Sequence, residues 1–419
     1  MKYVYKFAHL ADCHLGAHRY TELKRLEVES FKGAIKRSCK RGVDFIIISG
    51  DLFHSNIPNM EVVKEVAKIL KGLKEEEIPV YTCYGSHDYS PTRTSMIDVL
   101  ESAGLLKRVD RIRPEENRYV LDFTSDPVTG AKLTGISARK MNMEIEQFKY
   151  LDRASIESEE GFKIFLFHSA ITEFKPAYLS EMESIPLSLF PRGFDYYGGG
   201  HLHEKIEKHV EDHGWIVYPG PLFGSYATDL EANAKGKKRG FYIVEFDDTV
   251  QDVSFLPLDL VEYAYFEYNV TGKSSQEAMD DIISDLQFSD VDDKIVMVKI
   301  RGELSSGKTA DIDPIRIRDL LVDRGALHVN INRHGLRRRE RRRIRVRMED
   351  VPQVEKSLFR ENRENLDVLR ECDVDVAMEL LAVLRRARKP NERKVDYEDG
   401  MFKDALRVLS IEKFLGDLL

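Results

Sequence analysis

Cysteine is scarce in this chain of 419 residues, and the four cysteines that it has are scattered. Cys13, Cys39, Cys83 and Cys372 show no C-x-x-C spacing. Cysteine metal sites and small disulfide frameworks depend on such regular spacing, so the sequence excludes both. Cysteines without partners are typical of proteins that stay in the reducing cytosol. We therefore expect a cytoplasmic protein.

The chain also lacks long apolar runs and a positive net charge. No stretch reaches the roughly 18 consecutive apolar residues of a membrane span, so no membrane segment is expected. The net charge of -8 by itself argues against a nucleic-acid partner. That average conceals one basic segment, residues 333–347, which holds nine arginines and one glutamate.

The length of the chain exceeds what one ordinary core supports, so two or three domains are expected. We predict an α/β domain over residues 1–260, because strands and helices alternate there. A smaller α+β domain is predicted over residues 261–347. Residues 348–419 have helical periodicity and almost no strand signal, and we predict a linker and two helices.

The stretch that organises the first domain is residues 45–48, followed by Gly50 and Asp51. A short apolar run bounded by glycine predicts a buried parallel strand, with Asp51 at its carboxyl end. Strand, polar cluster and helix alternate in this way three times, with helices predicted at residues 22–40 and 60–74. Such βα units form a parallel sheet, so their polar clusters must share one edge, where α/β sheets bind ligands.

Five predicted strand ends carry polar side chains that bind metals well. They are Asp12 with His14, Asp51 with His54, His87 with Asp88, His168 alone, and His201 with His203. Mixed imidazole and carboxylate ligands suit Mn²⁺, Fe²⁺ or Zn²⁺ better than Ca²⁺ or Mg²⁺. Two such ions about 3.5–4 Å apart can clamp a phosphoryl displacement. Asp51 is placed to be the carboxylate that they share.

Each of these residues also has an ordinary structural interpretation. A single H-x-H is more often a surface or core feature than a ligand pair, and an aspartate at a strand end often caps the next helix. Six of the twelve histidines, however, fall at strand ends of one domain beside carboxylates. That coincidence favours the metal site.

The motifs that carry these residues resemble a known family. D-C-H at 12–14, G-D-L-F-H at 50–54, G-S-H-D at 85–88, the isolated His168 and G-H-L-H at 200–203 follow the order of the calcineurin-like metallophosphoesterases. The longer F-A-H-L-A-D-C-H-L-G, S-G-D-L-F-H and G-F-Y-I-V resemble the archaeal Mre-eleven nucleases of double-strand-break repair. The resemblance implies an α/β fold: a metallophosphoesterase β-sandwich flanked by helices, a capping domain and a C-terminal helical segment.

The resemblance also implies a set of site residues. Two Mn²⁺ ions per subunit would be held, one by Asp12, His14, Asp51 and His203, the other by Asp51, Ser86, His168 and His201. His87, oriented by Asp88, would protonate the leaving 3′-oxygen, and His54 would help to position the phosphate. Ser86 departs from the family pattern, which has asparagine there. Either water fills the gap, or the second ion is weakly held, or this is an altered form with reduced activity.

Two segments outside the first domain are predicted to bind macromolecules. Arg343, Arg345 and Arg347 alternate with apolar residues, as on a strand with one basic face. A solvated charged face is the alternative, but arginines this dense favour contacts with DNA phosphates. The apolar series Phe402, Leu406 and Leu409 either packs on the chain's own core or binds a partner helix. The resemblance implies that the partner is a Rad-fifty-type coiled-coil ATPase.

One sequence match, to the phosphate loop of nucleotide-binding proteins, is rejected. Residues 302–309 match G-x-x-x-x-G-K-T letter for letter. A working phosphate loop runs directly into a helix, whereas two acids and Pro314 follow here. The match is interpreted as a turn.

The resemblance implies a Mn²⁺-dependent, homodimeric DNA nuclease that acts at the nucleoid. Its expected activities are 3′→5′ exonuclease on duplex ends and endonuclease on single strands. The rival enzyme is a phosphatase or phosphodiesterase that does not act on DNA. The rival from another class is a catalytically weakened DNA-binding scaffold, which only Ser86 supports.

Overall fold

The computed structural model describes residues 4–89, 94–338, 353, 355–357, 359, 374–390 and 392–410. The chain divides into two compact units, Met1–Arg339 and Glu340–Leu419, and each is described by itself. The predicted domain boundaries at residues 260 and 347 stay predictions. Arg343, Arg345 and Arg347 lie outside the described residues.

The first unit contains the described strands. In chain order they are β1 (Tyr5–Leu10), β2 (Phe45–Ser49), β3 (Val80–Cys83), β4 (Lys107–Arg108), β5 (Ile112–Glu115), β6 (Arg118–Leu121), β7 (Thr124–Ser125), β8 (Lys132–Ile136), β9 (Lys163–His168), β10 (Tyr196–Gly200), β11 (Ile206–Val210), β12 (Gly214–Tyr218), β13 (Gly240–Phe246), β14 (Val250–Pro257), β15 (Glu262–Asn269), β16 (Lys294–Leu304) and β17 (His328–Arg338).

Described helices lie in both units. They are α1 (Thr21–Arg41), α2 (Met60–Glu75), α3 (Met96–Ser102), α4 (Glu144–Lys149), α5 (Arg153–Glu157), α6 (Ala227–Ala234), α7 (Ser275–Leu286), α8 (Pro314–Asp323), α9 (Val374–Leu384) and α10 (Lys394–Val408). The helices predicted at residues 22–40 and 60–74 are α1 and α2.

Two six-stranded sheets form a β-sandwich. The first has the order β14-β13-β1-β2-β3-β4, and the second has the order β11-β12-β10-β9-β8-β7. β1 to β4 run parallel to one another, as do β8, β9, β10 and β12. The predicted parallel arrangement of the first βα units is therefore confirmed, and the β-sandwich that the family resemblance implied is present.

The side chains of β2 alternate between the two faces of the first sheet, and both faces are buried. All five of its residues are buried. Phe45 and Ile47 lie in the cluster between the two sheets, together with Leu166 of the second sheet. Ile46 and Ile48 lie on the other face, in a cluster with Phe31 of α1. A strand that is apolar on both faces is stable only when both faces are covered, here by a sheet and by helices.

The third sheet, β15-β16-β17, is parallel throughout. α7 and α8 connect its strands and cover a core that includes Val298, Ile282 and Ile317. The rejected G-x-x-x-x-G-K-T match lies at the end of β16, where Gly302 and Leu304 still pair with β17. Only a 3₁₀ turn, Thr309–Asp311, follows Lys308, and α8 begins later, at Pro314. The structure therefore agrees that this segment is not a phosphate loop.

The second unit corrects the predicted helix boundaries. Apolar spacing predicts helices over residues 374–388 and 402–419, joined by a polar linker at residues 389–396. The first helix ends at Leu384 and the second begins at Lys394, so residues 394–396 belong to the second helix. Asp396 lies in its first turn, where a carboxylate favours the helix N-terminus. Leu406 is buried, whereas Phe402 and Leu409 are 55% and 41% exposed. Of the described helices, none has the length and apolarity to span a bilayer.

Candidate metal centre

Five strands of the sandwich end at one place and bring the predicted polar residues together. β1, β2, β3 and β10 end shortly before Asp12, Asp51, Ser86 and His201, and β9 ends on His168. Two groups of side chains there have ligand atoms within 4.8 Å of one another: Asp12, His14 and His203, and Asp12, Asp51 and His168. A third such group is His14, His54 and His87.

The backbone is strained at the residues predicted to be ligands. Asp12, His14, Asp51 and His201 have φ values of 49°, 45°, 50° and 87°. Left-handed backbone costs non-glycine residues roughly 1–2 kcal/mol each, and such residues cluster at functional sites. Each of these four residues lies where the chain turns away from a strand end.

Two glycines of the sequence motifs are required because other atoms lie too close to leave room for a side chain. A Cβ atom on Gly85 would overlap Asp51 Oδ1, and a Cβ atom on Gly50 would overlap His168 Nδ1. Any side chain at these positions would push the third and fourth polar clusters away from Asp51. The glycines of G-D-L-F-H and G-S-H-D therefore let the clusters meet.

Asp51 lies between the two groups of ligand atoms. Its Oδ2 is 3.1 Å from His168 Nε2 and 3.6 Å from His14 Nε2. Its Oδ1 accepts the backbone N–H of His87 at 2.8 Å. Burial opposes the charged carboxylate, but the attraction and hydrogen bond of His168 outweigh it and hold the pKa of Asp51 below its usual range. The same pairing overcomes the effect of burial on His168 and raises its pKa to about 10.

Burial raises the pKa of Asp12 to about 6, and burial lowers the pKa of His201 to about 4. Buried carboxylates and neutral imidazoles gain most from a divalent cation, because it compensates the charge of the carboxylate and uses the free lone pair of the imidazole.

Buried ligand atoms of this centre fit an ion directly. Among the described residues, Asp12 Oδ2 is buried without a hydrogen-bond partner. His14 Nε2 and His203 Nε2 are 3.2 Å apart. Two nitrogens that each lie about 2.1 Å from one ion would be separated by roughly 3.0–3.4 Å. The donors are imidazole nitrogens and carboxylate oxygens, the set that suits Mn²⁺, Fe²⁺ or Zn²⁺.

The two remaining predicted ligands lie at the side of this centre. The His201 ring lies 5.3 Å from the His168 ring, between centroids, and its backbone N–H donates to Asp12 Oδ1 at 2.8 Å. Ser86 is exposed, and its hydroxyl lies 3.4 Å from Asp51 Oδ2. The Ser86 side chain thus extends no further than the Asp51 carboxylate.

His87 and His54 form a pair of rings at the mouth of the centre. Their centroids are 4.7 Å apart and their planes are inclined by 28°. His87 Nδ1 donates to the backbone carbonyl of His54 at 2.8 Å, so Nε2 is the ring nitrogen that can exchange a proton. Nε2 lies 3.2 Å from the hydroxyl of Tyr226.

The predicted contact between Asp88 and His87 is wrong. The buried Asp88 carboxylate accepts the backbone N–H groups of Gly85 and Phe53, at 3.0 and 3.4 Å. Neighbouring residues in a turn direct their side chains apart, and Asp88 points into the turn while His87 points out of it. Burial, reinforced by Asp51, raises the pKa of Asp88 to about 7. Asp88 holds the turn together, and the His54 carbonyl orients His87 instead.

The family comparison agrees with this geometry. The model of the calcineurin-like phosphoesterase family matches residues 5–205. That range contains every predicted metal ligand. The part of the chain that carries the site is therefore similar to the calcineurin-like phosphoesterases.

The curated relatives of this phosphoesterase include DNA double-strand break repair proteins named Mre11. The protein of Methanopyrus kandleri is 30% identical over 62% of this chain and 56% of its own length. The protein of Archaeoglobus fulgidus is 28% identical over 52% and 50%, and that of Methanocaldococcus jannaschii is 26% identical over 76% and 89%. The phosphoesterase chain thus spans about half the length of the first two relatives.

Three residues of the phosphoesterase centre were missed by sequence reasoning. Tyr226 contacts His87, Asp229 contacts His203 through a 2.9 Å hydrogen bond, and Arg239 lies behind Asp229. They follow the G-H-L-H motif and lie in the loop before α6, in α6 and directly before β13. The only local signal is an aspartate in the first turn of α6, which by itself predicts a helix cap.

Ser86→Asn is expected to strengthen the second metal site of this phosphoesterase. The serine hydroxyl stops at Asp51 Oδ2, whereas an asparagine side chain is longer and carries an amide oxygen. One added ligand worth about 1.4 kcal/mol would lower the Mn²⁺ concentration for half-saturation about tenfold. Titration of both forms with Mn²⁺, followed by electron paramagnetic resonance of the free ion, measures the change.

The matched control is Ser184→Asn, which alters a serine outside the donor sets. Its hydroxyl accepts from Thr172 in an exposed contact. Superimposed curves for wild type and Ser86→Asn would contradict the expectation and would mean that Ser86 already completes the site.

Proposed function

We propose that this phosphoesterase is the Mn²⁺-dependent nuclease subunit of a DNA double-strand-break repair complex. The observation that carries the proposal is the position of Asp51, whose Oδ2 lies 3.6 Å from His14 and 3.1 Å from His168, one from each donor set. A shared carboxylate between two sets of donors is what a two-metal phosphodiesterase requires. The relatives named Mre11 support DNA as the substrate.

The proposed ligands divide into two sets that share Asp51. One set is Asp12, His14, Asp51 and His203, and the other is Asp51, Ser86, His168 and His201. Two bound Mn²⁺ ions would neutralise charge on a phosphodiester and lower the pKa of a water nucleophile. Every other step depends on the side chains around them.

His87 is the proposed general acid. Because its Nδ1 is held by the His54 carbonyl, a proton on Nε2 would face the mouth of the site. The proton on Nε2 then passes to the leaving 3′-oxygen, and this protonation makes the oxygen a better leaving group. The Tyr226 hydroxyl lies 3.2 Å from His87 Nε2, and it is proposed to keep the ring in this orientation until substrate replaces the contact. The His54 ring, stacked on His87, is proposed to position the phosphate.

The proposed activities are 3′→5′ exonuclease on duplex ends and endonuclease on single strands. The proposed DNA contacts are Arg343, Arg345 and Arg347, and β15, β16 and β17 are proposed to form a capping domain. Charge supports this, since β17 itself ends in the basic residues Arg337 and Arg338. Each phosphate contact would steepen the salt dependence of binding by about 0.9. A slope near zero for the intact chain would remove these arginines from the proposal.

Further partners follow from the same proposal. Phe402, Leu406 and Leu409 on or next to α10 are proposed to bind a Rad-fifty-type ATPase. Two of the three remain exposed, so their apolar surface is available for a partner helix. We further propose a homodimer that works in the cytoplasm at the nucleoid. Co-purification of the ATPase with the intact chain, and its loss in Phe402→Ala, tests the binding segment.

The test of the whole proposal uses the full chain with Mn²⁺ and four substrates. They are 3′-labelled linear duplex DNA, circular single-stranded DNA, p-nitrophenyl phosphate and bis(p-nitrophenyl) phosphate. We expect loss of the 3′ label and linearisation of the circle, with much slower hydrolysis of both esters. Ester hydrolysis with intact DNA would favour the non-DNA phosphatase. DNA binding without cleavage at saturating Mn²⁺ would favour the weakened scaffold.

A further inference from the structure

The first turn of α6 lies against the metal ligand His203. Asp229, in this turn, is buried, and its Oδ2 accepts the Nδ1–H of His203 at 2.9 Å. The same oxygen accepts the backbone N–H groups of Ser225 and Tyr226, at 3.0 and 3.2 Å. One carboxylate oxygen therefore joins the helix terminus to the imidazole ring.

Arg239 completes this arrangement from the other side. Its Nη2 lies 3.2 Å from Asp229 Oδ1, and its Nη1 donates to the backbone carbonyl of His203 at 2.8 Å. Its Nε donates to Asn233 Oδ1 at 2.6 Å. Asp229 thus holds the ring of His203, while Arg239 holds both the backbone of His203 and the carboxylate of Asp229.

These contacts determine which nitrogen of His203 carries the proton. Because Nδ1 donates to a carboxylate, the neutral ring keeps its lone pair on Nε2. Nε2 is the atom that lies 3.2 Å from His14 Nε2, within the first donor set. Without Asp229 the ring could rotate or place its proton on Nε2, and neither state presents a lone pair to an ion.

A helix cap is the simpler interpretation of Asp229, because aspartate is common in the first turn of helices. That role accounts for the bonds to Ser225 and Tyr226. It does not account for the bond to His203 or for the buried arginine that contacts both residues. Carboxylates in this position behind a ligating histidine orient the ring and increase its basicity.

We infer that Asp229, supported by Arg239, is a positioning residue that holds His203 in the Nδ1–H tautomer and aims its Nε2 at the first metal ion. The inference rests on the metal centre of the proposed function and not on DNA as the substrate. A chain that binds Mn²⁺ through His203 but does not cleave DNA would leave it intact.

The network also reaches the third sheet. Asn233 Nδ2 donates to the Phe223 carbonyl at 2.7 Å and to the Tyr263 hydroxyl at 3.1 Å. Tyr263 belongs to β15, so the side chains behind His203 are continuous with the sheet proposed as the capping domain. Asp229 and Arg239 contact the metal ligand His203, whereas Tyr263 bonds Asn233, so Tyr263 serves as an internal control.

The test is Mn²⁺ binding to the full chain, without DNA, in wild type and in Asp229→Asn. The amide keeps the shape of the carboxylate but has one acceptor atom in place of two. Either Arg239 loses its bond to Oδ1, or His203, Ser225 and Tyr226 lose their bonds to Oδ2. We expect one Mn²⁺ site to weaken tenfold to a hundredfold, the usual effect of removing such a partner. Tyr263→Phe removes the outer bond, and Asp313→Asn makes the same exchange at the cap of α8, where asparagine also caps. Both should bind Mn²⁺ as wild type does.

The stability of the metal-free protein separates positioning from capping. A cap alone predicts that Asp229→Asn lowers the Tm in chelator but leaves the Tm increase on addition of Mn²⁺ unchanged. Positioning predicts a smaller increase. Wild-type Mn²⁺ affinity in Asp229→Asn would overturn the inference.

A measurement on the wild type covers the case in which the variant does not fold. In ¹⁵N-histidine spectra of the metal-free protein, with His203 assigned from His203→Gln, the ring should show a protonated Nδ1 and an unprotonated Nε2. The opposite tautomer, with the proton on Nε2, would overturn the inference without any variant of Asp229.

Discussion

His87→Ala is expected to abolish DNA cleavage while the protein keeps its bound Mn²⁺. Removing a general acid costs roughly two to four orders of magnitude in rate. The bond from the His87 backbone N–H to Asp51 Oδ1 survives the substitution, so the shared carboxylate stays in place. The side chain itself contacts the His54 carbonyl and the Tyr226 hydroxyl, and neither is among the proposed ligands. Single-turnover cleavage rates and elemental analysis of the same preparations measure both quantities.

The competing role of His87 is that of a metal ligand, because its ring nitrogens also group with those of His14 and His54. His209→Ala is the matched control, since His209 is an exposed histidine that contacts Trp215 edge to face. It should change neither rate nor metal content. Loss of an ion from His87→Ala, but not from His209→Ala, would make His87 a ligand and leave the acid unassigned.

The sequence predicted the positions of the strand ends because short-range chemistry determines them. The run at residues 45–48 is apolar on both faces, which only a strand between two layers satisfies, and β2 is buried on both faces as expected. Once three such strands are parallel, their carboxyl ends must meet. Asp12, Asp51 and His87 could therefore be placed near one another, whereas His168 follows β9 of the second sheet and was assigned to the site by the family resemblance.

What the sequence could not predict depends on which way a side chain turns and on partners far along the chain. Asp88 follows His87 directly, but their side chains diverge, and Asp88 pairs with the backbone of Gly85 and Phe53. Asp229 lies 26 residues from His203 on a helix whose packing no local pattern reveals. The start of α10 was missed because its first two turns are mostly polar and contain Gly400, and the apolar series that was recognised begins only at Phe402.

The centre has one residue whose loss should affect both ions. Asp51→Asn is expected to remove both Mn²⁺ ions and, with them, DNA cleavage. Asp51 Oδ2 lies within reach of His168 and His14, so a single oxygen serves both donor sets. An amide has nearly the same shape, but it is neutral and offers one acceptor atom in place of two. We expect the Mn²⁺ affinity of each site to fall by at least roughly a hundredfold, about 2.8 kcal/mol.

The change should be visible by elemental analysis after gel filtration and by Mn²⁺ titration. Asp126→Asn is the matched control, because Asp126 is equally buried and accepts from Tyr81 and Thr129 in a turn that contributes no ligand. The Tyr81 hydroxyl can turn to accept from the new amide, so this variant should keep both ions. Loss of one ion only from Asp51→Asn would show that the carboxylate belongs to one site and that the sites are separate. Retention of both would remove Asp51 from the centre, and Asp12, common to both groups of ligand atoms, would then be the shared carboxylate.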